Sequence, residues 1–355
     1  MSLEVRTVIA SALTIGVLVV CITPIVQANP PFGGYGFGSP DGRRGQHPPP
    51  RRALDSDDLW PSYVGPSTAE DITNKILTNR SDNCEDYVDH YKSSVKDLNS
   101  RQRVKGYFSV QILGGKCRFT TNVIPNHDMN DGRRGFRHAV STQSAQYEIT
   151  TNPRFSSRLT PISLRMDNAI MLNGVKVDLL AAACYGIGDE RIGCNDVNQP
   201  WRLDPMFTVN GFGTDSHNAH TQPDGSYHYH GNPNALFKMD TNYDSPVIGF
   251  AADGFPIYGS MVSKNGSVRQ AKSSFRLKQG QRPTGKGHPG GRYDGRYRDD
   301  YEYVEGVGDL DECNGMVYES QYGYYITESF PYIMSCFKGT PDRSFNKQRT
   351  GRHRH

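Results

Sequence analysis

The sequence predicts a mainly β protein, a sandwich or barrel-like assembly of short strands and long loops, with a small helical lead-in on its N-terminal side. Three observations predict it. From about residue 106 to 339 the apolar residues fall in short runs bounded by Gly, Pro, Asn and Asp, such as Tyr107-Phe108-Ser109-Val110-Gln111-Ile112 and Val247-Ile248-Gly249-Phe250. Many short strands with frequent turns give that pattern. Between residues 67 and 103 the apolar spacing is helical instead. Within the β region, Pro223-Asp224-Gly225 is a hairpin turn, followed by strict alternation from Tyr227 to His230.

The chain has 355 residues and a net charge of +3, too small to imply a nucleic-acid partner. Residues 8–26 form a mostly apolar run behind Arg6 and Glu4, and Val26-Gln27-Ala28 has the residue sizes of a cleavage site. Residues 1–28 are therefore expected to be a secretory signal cleaved after Ala28, with a retained membrane anchor as the alternative. Once the signal is removed, no membrane association is expected. Residues 29–65 are rich in Pro, Gly and Arg, with too little apolar material to offset the entropy of ordering, so disorder is expected there.

Residues 66–104 carry the helical expectation. Ser67-x-x-Glu70 resembles a capping box ahead of Ile72, Ile76 and Leu77. Asp82-x-x-Glu85 suggests a second start, before Tyr87, Val88, Tyr91, Val95 and Leu98. Residues 105–340 then form the main domain. Inside it, residues 264–298 hold ten Lys and Arg against one Asp, mixed with Gly, Pro and Tyr. They read as a long mobile loop. Residues 299–311 are acidic, and the tail at 341–355 is basic again. The sharper expectation for the basic stretches is a polyanion partner: a glycosaminoglycan, an acidic matrix protein or a mineral surface.

Cysteine usage agrees with export. Cys21 lies in the signal, leaving Cys84, Cys117, Cys184, Cys194, Cys313 and Cys336. An even number in a secreted chain suggests three disulfides. Cys184 and Cys194 flank a short Gly-containing loop and are the first pair expected. The absence of Cys-x-x-Cys argues against a thiolate zinc site. Asn79-Arg80-Ser81 and Asn265-Gly266-Ser267 are glycosylation acceptors at Asn79 and Asn265.

The chemistry concentrates in Asp224-Gly225-Ser226-Tyr227-His228-Tyr229-His230-Gly231. In a strand, alternation sends both imidazoles to one face and both phenols to the other. A three-residue loop ending in Gly225 sets Gln222 opposite Ser226 and His220 opposite His228. Residues paired across a hairpin share a face, so His220 joins His228 and His230. A two-residue loop would set His220 opposite Tyr229 and spoil the cluster. Three neutral imidazoles with a fourth position open suit copper or zinc, and that transition metal is the cofactor expected. A polar surface pair without metal is the plainer alternative. His127, in Ile124-Pro125-Asn126-His127-Asp128, is a candidate fourth ligand or site wall. Asp253 is a candidate for hydrogen-bonding a ligating imidazole from behind. Asp311 and Glu312 offer two carboxylates, read as an ordinary exposed pair with acid–base chemistry as the alternative. Tyr227 and Tyr229 are expected to pack in the core with their hydroxyls partnered.

These residues resemble the YHYH-domain family, named for the tetrad at Tyr227 to His230. The resemblance runs over roughly residues 106–339. It includes Leu172-Asn173-Gly174-Val175, Asn218-Ala219-His220, Gly249-Phe250-Ala251-Ala252-Asp253-Gly254-Phe255-Pro256-Ile257-Tyr258-Gly259, Asp309-Leu310-Asp311-Glu312-Cys313-Asn314-Gly315 and Phe330-Pro331-Tyr332-Ile333-Met334-Ser335-Cys336. It implies an extracytoplasmic domain without naming a reaction. Cys313 and Cys336 both lie in motifs of the resemblance, which makes them the second expected pair. The long basic insert and the low-complexity ends depart from the family pattern and favour an extracellular assembly role. The expectation is thus a secreted metal-binding protein. A matrix or surface structural protein and a metal-dependent hydrolase or oxidase are the alternatives.

Overall fold

The structure, a computed structural model, describes residues 68–132 and 135–347. The expected signal at 1–28, the segment 29–65, Ser67 of the first capping box and the last eight residues of the basic tail lie outside the described residues.

Five strands form the first sheet in chain order: β1 (Glu70–Asp71), β2 (Asp89–Lys96), β3 (Arg103–Leu113), β4 (Lys116–Thr121) and β5 (Ala145–Thr150). After β6 (Thr160–Pro161) come β7 (Ala169–Met171), β8 (Lys176–Val177), β9 (Ala219–Thr221), β10 (Tyr227–Tyr229), β11 (Val247–Ala251) and β12 (Pro256–Tyr258). Two hairpin strands, β13 (Met261–Lys264) and β14 (Ser267–Gln270), precede β15 (Phe275–Leu277) and β16 (Tyr301–Tyr303). The chain closes with β17 (Gly315–Tyr318), β18 (Gln321–Tyr325) and β19 (Cys336–Phe337). The second large sheet has the order β17-β18-β12-β11-β7-β8-β10-β9, which leaves β17 and β9 at its edges. The protein is mainly β as predicted, and neither large sheet closes into a barrel.

Alternation along the strands builds one core between the sheets. In β4, Cys117, Phe119 and Thr121 are buried while Lys116, Arg118 and Thr120 are not. Phe119 meets Phe250 of β11 with ring centres 6.1 Å apart, and Tyr87 meets the same ring at 5.7 Å. Each such ring taken from water contributes on the order of 1.5–3 kcal/mol. Gly174 lets the two layers approach. Its φ is +81°, and a Cβ there would lie 2.6 Å from Thr121 Oγ1 and 3.0 Å from Phe108 Cβ. Thr121 Oγ1 donates to the Gly174 carbonyl at 2.7 Å.

The helical lead-in is not present. Glu70 sits in β1, and residues 89–96 are β2, which pairs antiparallel with β3 over eight positions. The longest helical element among the described residues is a 3₁₀ turn at Cys84–Tyr87, capped by Asn83 rather than Asp82. The cause of the misreading is arithmetic. Tyr87, Tyr91 and Val95 are four apart, which puts them on one face of a helix; Tyr91 and Val95, both in β2, equally share a face of a strand. Val88 and Leu98, which gave the helical pattern its width, are 47% and 44% exposed.

Three disulfides fix the frame: Cys84–Cys117, Cys184–Cys194 and Cys313–Cys336. The first ties the 3₁₀ turn to β4. The third ties the turn before β17 to β19. No helix among the described residues is long and apolar enough to cross a membrane. Asn79 and Asn265 are both exposed, the latter in the β13–β14 turn.

The basic insert at 264–298 is a folded part of the structure rather than a mobile loop. It contributes β14 and β15, and its arginines are held by carboxylates of the acidic run that follows it, of the insert itself and of the loop at Glu190. Arg269 pairs with Asp309, Arg276 with Glu302 and Arg296 with Glu190. Arg282 is buried and gives two hydrogen bonds to Asp300, at 2.7 and 2.5 Å, and a third to Asp294. Sequence reading missed this because the pairs span up to 106 residues.

Candidate metal centre

The site is built on the β9–β10 hairpin. Gly225 adopts φ +81° and its N–H donates to the Gln222 carbonyl at 2.9 Å, while Gln222 N–H donates to Ser226 O at 3.0 Å. This is the three-residue loop, and it sets the register Tyr227↔Thr221, His228↔His220 and Tyr229↔Ala219. The Asp224 side chain locks the turn by accepting from Ser226 N and Oγ at 2.9 and 2.7 Å. Ser141 holds it from outside through its hydroxyl to Asp224 O and its N–H to Gly225 O. A Cβ on Gly225 would meet Ser141 Oγ at 2.3 Å and Ala139 O at 2.7 Å, so only glycine fits.

Three imidazoles gather on one face. His230 Nε2 lies 2.9 Å from His228 Nε2 and 3.1 Å from His220 Nε2, and one nitrogen from each ring falls within 4.8 Å of the others. Nitrogens at about 2.05 Å from a tetrahedral ion sit roughly 3.3 Å apart. Two of the three spacings, His230 to His228 and His230 to His220, are already close to that value. His228 and His230 are 2% and 4% exposed, so solvent reaches the group from the side of the half-buried His220.

Protonation favours a cation. The Phe212 carbonyl, 2.9 Å from His220 Nδ1, can only accept, so that nitrogen carries the hydrogen and Nε2 is left with a bare lone pair. Ser226 O faces His228 Nδ1 at 3.5 Å and biases it the same way. Burial pushes all three imidazoles below the ordinary histidine value. The neighbouring imidazoles add to the effect at His228 and His230, as do the charges of Lys176 and Lys347 at His228. Neutral rings with inward lone pairs are the form that binds metal.

Lys176 is the parallel-sheet neighbour of His228. It lies 3.4 Å from Asp167 and 3.1 Å from Gln222 Oε1, and Gln222 in turn donates to Asp178 at 2.6 Å. Lys347 pairs with Asp178. This network beside the triad was not read from the sequence, because the β8–β10 pairing joins segments about 50 residues apart.

The structure places the other expected residues elsewhere. His127 is not a fourth ligand. Its Nδ1–H donates to Asp128 O at 2.8 Å, its Nε2 accepts from the Tyr229 hydroxyl at 2.6 Å, and its ring packs on His217 at 4.0 Å. Tyr229 points to the face of β10 opposite the imidazoles, so His127 lies across the strand from them. Burial, then the nearby His217, lowers its pKa to about 3. Asp253 does not touch an imidazole. It accepts from Tyr324 Oη at 2.6 Å and Gly339 N at 2.9 Å, and burial raises its pKa to about 6. Asp311 and Glu312 both pair with Lys338, and Asp311 also accepts from Cys313 N, Gly315 N and Tyr322 Oη. Asp311 borders an open cleft of about 400 Å³ walled by Phe155, Leu159, Val317 and Tyr322. Both oxygens of Asp311 are engaged, and Glu312 uses Oε1 on Lys338.

Asp215 organises the approach to the hairpin, a role sequence reading did not assign. It accepts from His217 N at 3.0 Å, Ala219 N at 3.2 Å, Asn130 N at 3.2 Å and Tyr227 Oη at 2.8 Å. Tyr227 and Tyr229 are fully buried with both hydroxyls partnered.

Neither a curated protein nor a solved structure matches the chain significantly. The family model described as YHYH protein matches residues 146–339, a span that holds the tetrad, the triad and the strands around them. That span is more than half of the chain, which therefore belongs to the YHYH protein family.

Proposed function

We propose that this is a secreted metal-binding protein that holds copper or zinc on His220, His228 and His230. The observation that carries the proposal is the convergence of three imidazole nitrogens at 2.9 and 3.1 Å, with the opposite nitrogen of His220 fixed by a carbonyl. Without a cation, at most one hydrogen can be shared among three nitrogens aimed at one point; a metal ion satisfies all three. Imidazole ligands suit copper and zinc alike. Three protein ligands leave a position for water or a small ligand, reached from the His220 side. Export is supported by three disulfides, which persist in oxidising compartments, and by the apolar N-terminal run.

The test is elemental analysis of tag-free protein beside a His228→Ala, His230→Ala variant. About one equivalent of copper or zinc is expected in the native protein and little in the variant. Equal metal content in two folded samples overturns the proposal. Exposed cations of the insert, such as Lys286 and Arg292, are the groups left to meet a polyanion, since Arg269, Arg276, Arg282 and Arg296 are engaged with carboxylates.

A further inference from the structure

His220 is the least enclosed of the three imidazoles. It sits half-buried on β9, a three-residue strand, so packing holds its ring less than the buried rings of His228 and His230. Its back nitrogen is nevertheless the best held. The Phe212 carbonyl stands 2.9 Å from His220 Nδ1, whereas Ser226 O is 3.5 Å from His228 Nδ1, and His230 Nδ1 is buried with no partner among the described residues. Among those same residues, the bond to His220 is the one hydrogen bond that residues 212–214 make. Gly211 and Gly213 flank Phe212 with φ of +67° and +75°, a path that glycine takes without strain.

The Phe212 ring anchors that carbonyl. It packs against a small apolar core separate from the main one, made of Ala181, Ala183, Trp201, Leu203 and Tyr297. The Cys184–Cys194 disulfide ties this core together, as does the buried Arg202 guanidinium, which donates to Ala181 O, Cys194 O and Asp196 O at 2.7, 3.1 and 2.6 Å. Tyr297 belongs to the basic insert. So does Arg296, whose carbonyl accepts from Asp204 N at 3.0 Å and from Asn210 Nδ2 at 2.9 Å. The insert is thus bonded to the stretch of chain that leads directly into Phe212.

We propose that Phe212 is a positioning residue for His220, and that through it the small core and the basic insert support the triad. The inference rests on the metal reading above and deepens it. A neutral imidazole carries its hydrogen on one nitrogen or the other. With Nδ1–H given to a fixed carbonyl, Nε2 keeps its lone pair turned toward His230. With the carbonyl withdrawn, the ring can turn over or carry its hydrogen on Nε2, and either change closes the cluster to a cation. The seated Phe212 ring supplies the fixed point, since a carbonyl between two glycines, in a segment with no other hydrogen bond among the described residues, has nothing else to hold it. The insert then has a task besides any contact made by its exposed cations: it supplies Tyr297 to the core that seats Phe212.

The experiment compares full-length mature wild type with Phe212→Ala, the core-refilling Phe212→Leu, His220→Ala, and Phe212→Ala combined with His220→Ala. Without metal, nitrogen-15 NMR of the imidazole rings reads which nitrogen of His220 carries the hydrogen. The Nδ1–H form is expected in wild type and Phe212→Leu, and a rise of the Nε2–H form in Phe212→Ala. With cobalt(II), whose visible absorption reports binding, Phe212→Ala is expected to weaken affinity about 10–100-fold and Phe212→Leu to keep most of it. On the His220→Ala background, Phe212→Ala is expected to change cobalt affinity no further. An unchanged His220 tautomer in folded Phe212→Ala, or an equal loss of affinity with and without His220, overturns the inference while leaving the metal site intact. Phe212→Val, a smaller truncation, decides the matter if Phe212→Ala does not fold. A wild type that takes up no cobalt overturns the metal reading, and the tautomer measurement alone then judges Phe212.

Discussion

Replacing Arg282 by Met tests whether the basic insert is an ordered part of the fold. Arg282 is 6% exposed at its side chain and its main partner Asp300 is 0% exposed. Asp300 accepts four hydrogen bonds: Arg282 Nε at 2.7 Å, Arg282 Nη2 at 2.5 Å, Gly295 N at 3.0 Å and Tyr297 N at 3.2 Å. The substitution keeps most of the side-chain volume but strips two of those four donors and the one ion pair that Asp300 makes among the described residues. A buried carboxylate left without its partner costs about 3–5 kcal/mol. The exposed pair to Asp294 adds little, at roughly 0–1 kcal/mol. Urea unfolding of Arg282→Met is therefore expected to show a loss of about 3–5 kcal/mol. Arg292→Ala, in the same insert but exposed, should stay within about 0.5 kcal/mol of the native protein. Adding Asp300→Asn to Arg282→Met removes the stranded charge and should recover part of the loss, a coupling that a double-mutant cycle reads directly. Limited proteolysis within 278–298 should accelerate in Arg282→Met alone. If Arg282→Met and Arg292→Ala unfold at the same urea concentration, the insert is not organised around this pair.

Three further outcomes follow from the geometry. His127→Ala should leave metal stoichiometry unchanged, whereas Gly225→Ala, which clashes with Ser141 and Ala139, should cut metal affinity at least about tenfold by displacing the turn; equal metal affinity in all three proteins would mean that the turn does not position the imidazoles. Asp253 has a folded-state pKa of about 6, above its ordinary 3.8, so the folded protein binds a proton the unfolded chain releases. Its stabilising contribution is full below pH 3.8 and is lost as pH rises through 6, a change of up to about 3 kcal/mol. The stability difference between native protein and Asp253→Asn should shift against the native protein across that window, and a flat difference refutes the assignment. Lys286→Ala with Arg292→Ala should weaken retention on a heparin column, lowering the eluting salt concentration, if the insert meets polyanions; unchanged elution removes that reading.

What was legible in the sequence was what is local. Pro223, Asp224 and Gly225 carry their own conformational preferences, and from them the register of His220 against His228 follows without any distant contact. Cys184 and Cys194 close a loop of ten residues in the same way. The lead-in failed because four is an even number: Tyr91 and Val95 satisfy both helical and strand periodicity, and only the ladder with β3 decides. His127 and Asp253 failed for another reason. Their partners, Tyr229 and Tyr324, are 102 and 71 residues away, so nothing near them in sequence says which face of which strand they will meet. The acidic run at 299–311 was visible, but its role as the counterpart of the basic insert appears only when the chain doubles back.

The position of β9 at the rim of the eight-stranded sheet has a consequence for how the site works. β9 is held in the sheet by β10 alone, and His220 is the imidazole of the triad that it carries. An ion joining His220 to His228 and His230 would act as a clasp between the outermost ribbon and its neighbour. Loading would then quiet the fraying of that ribbon, and the exchange of the Ala219 and Thr221 amides with deuterated solvent would slow as the clasp shuts.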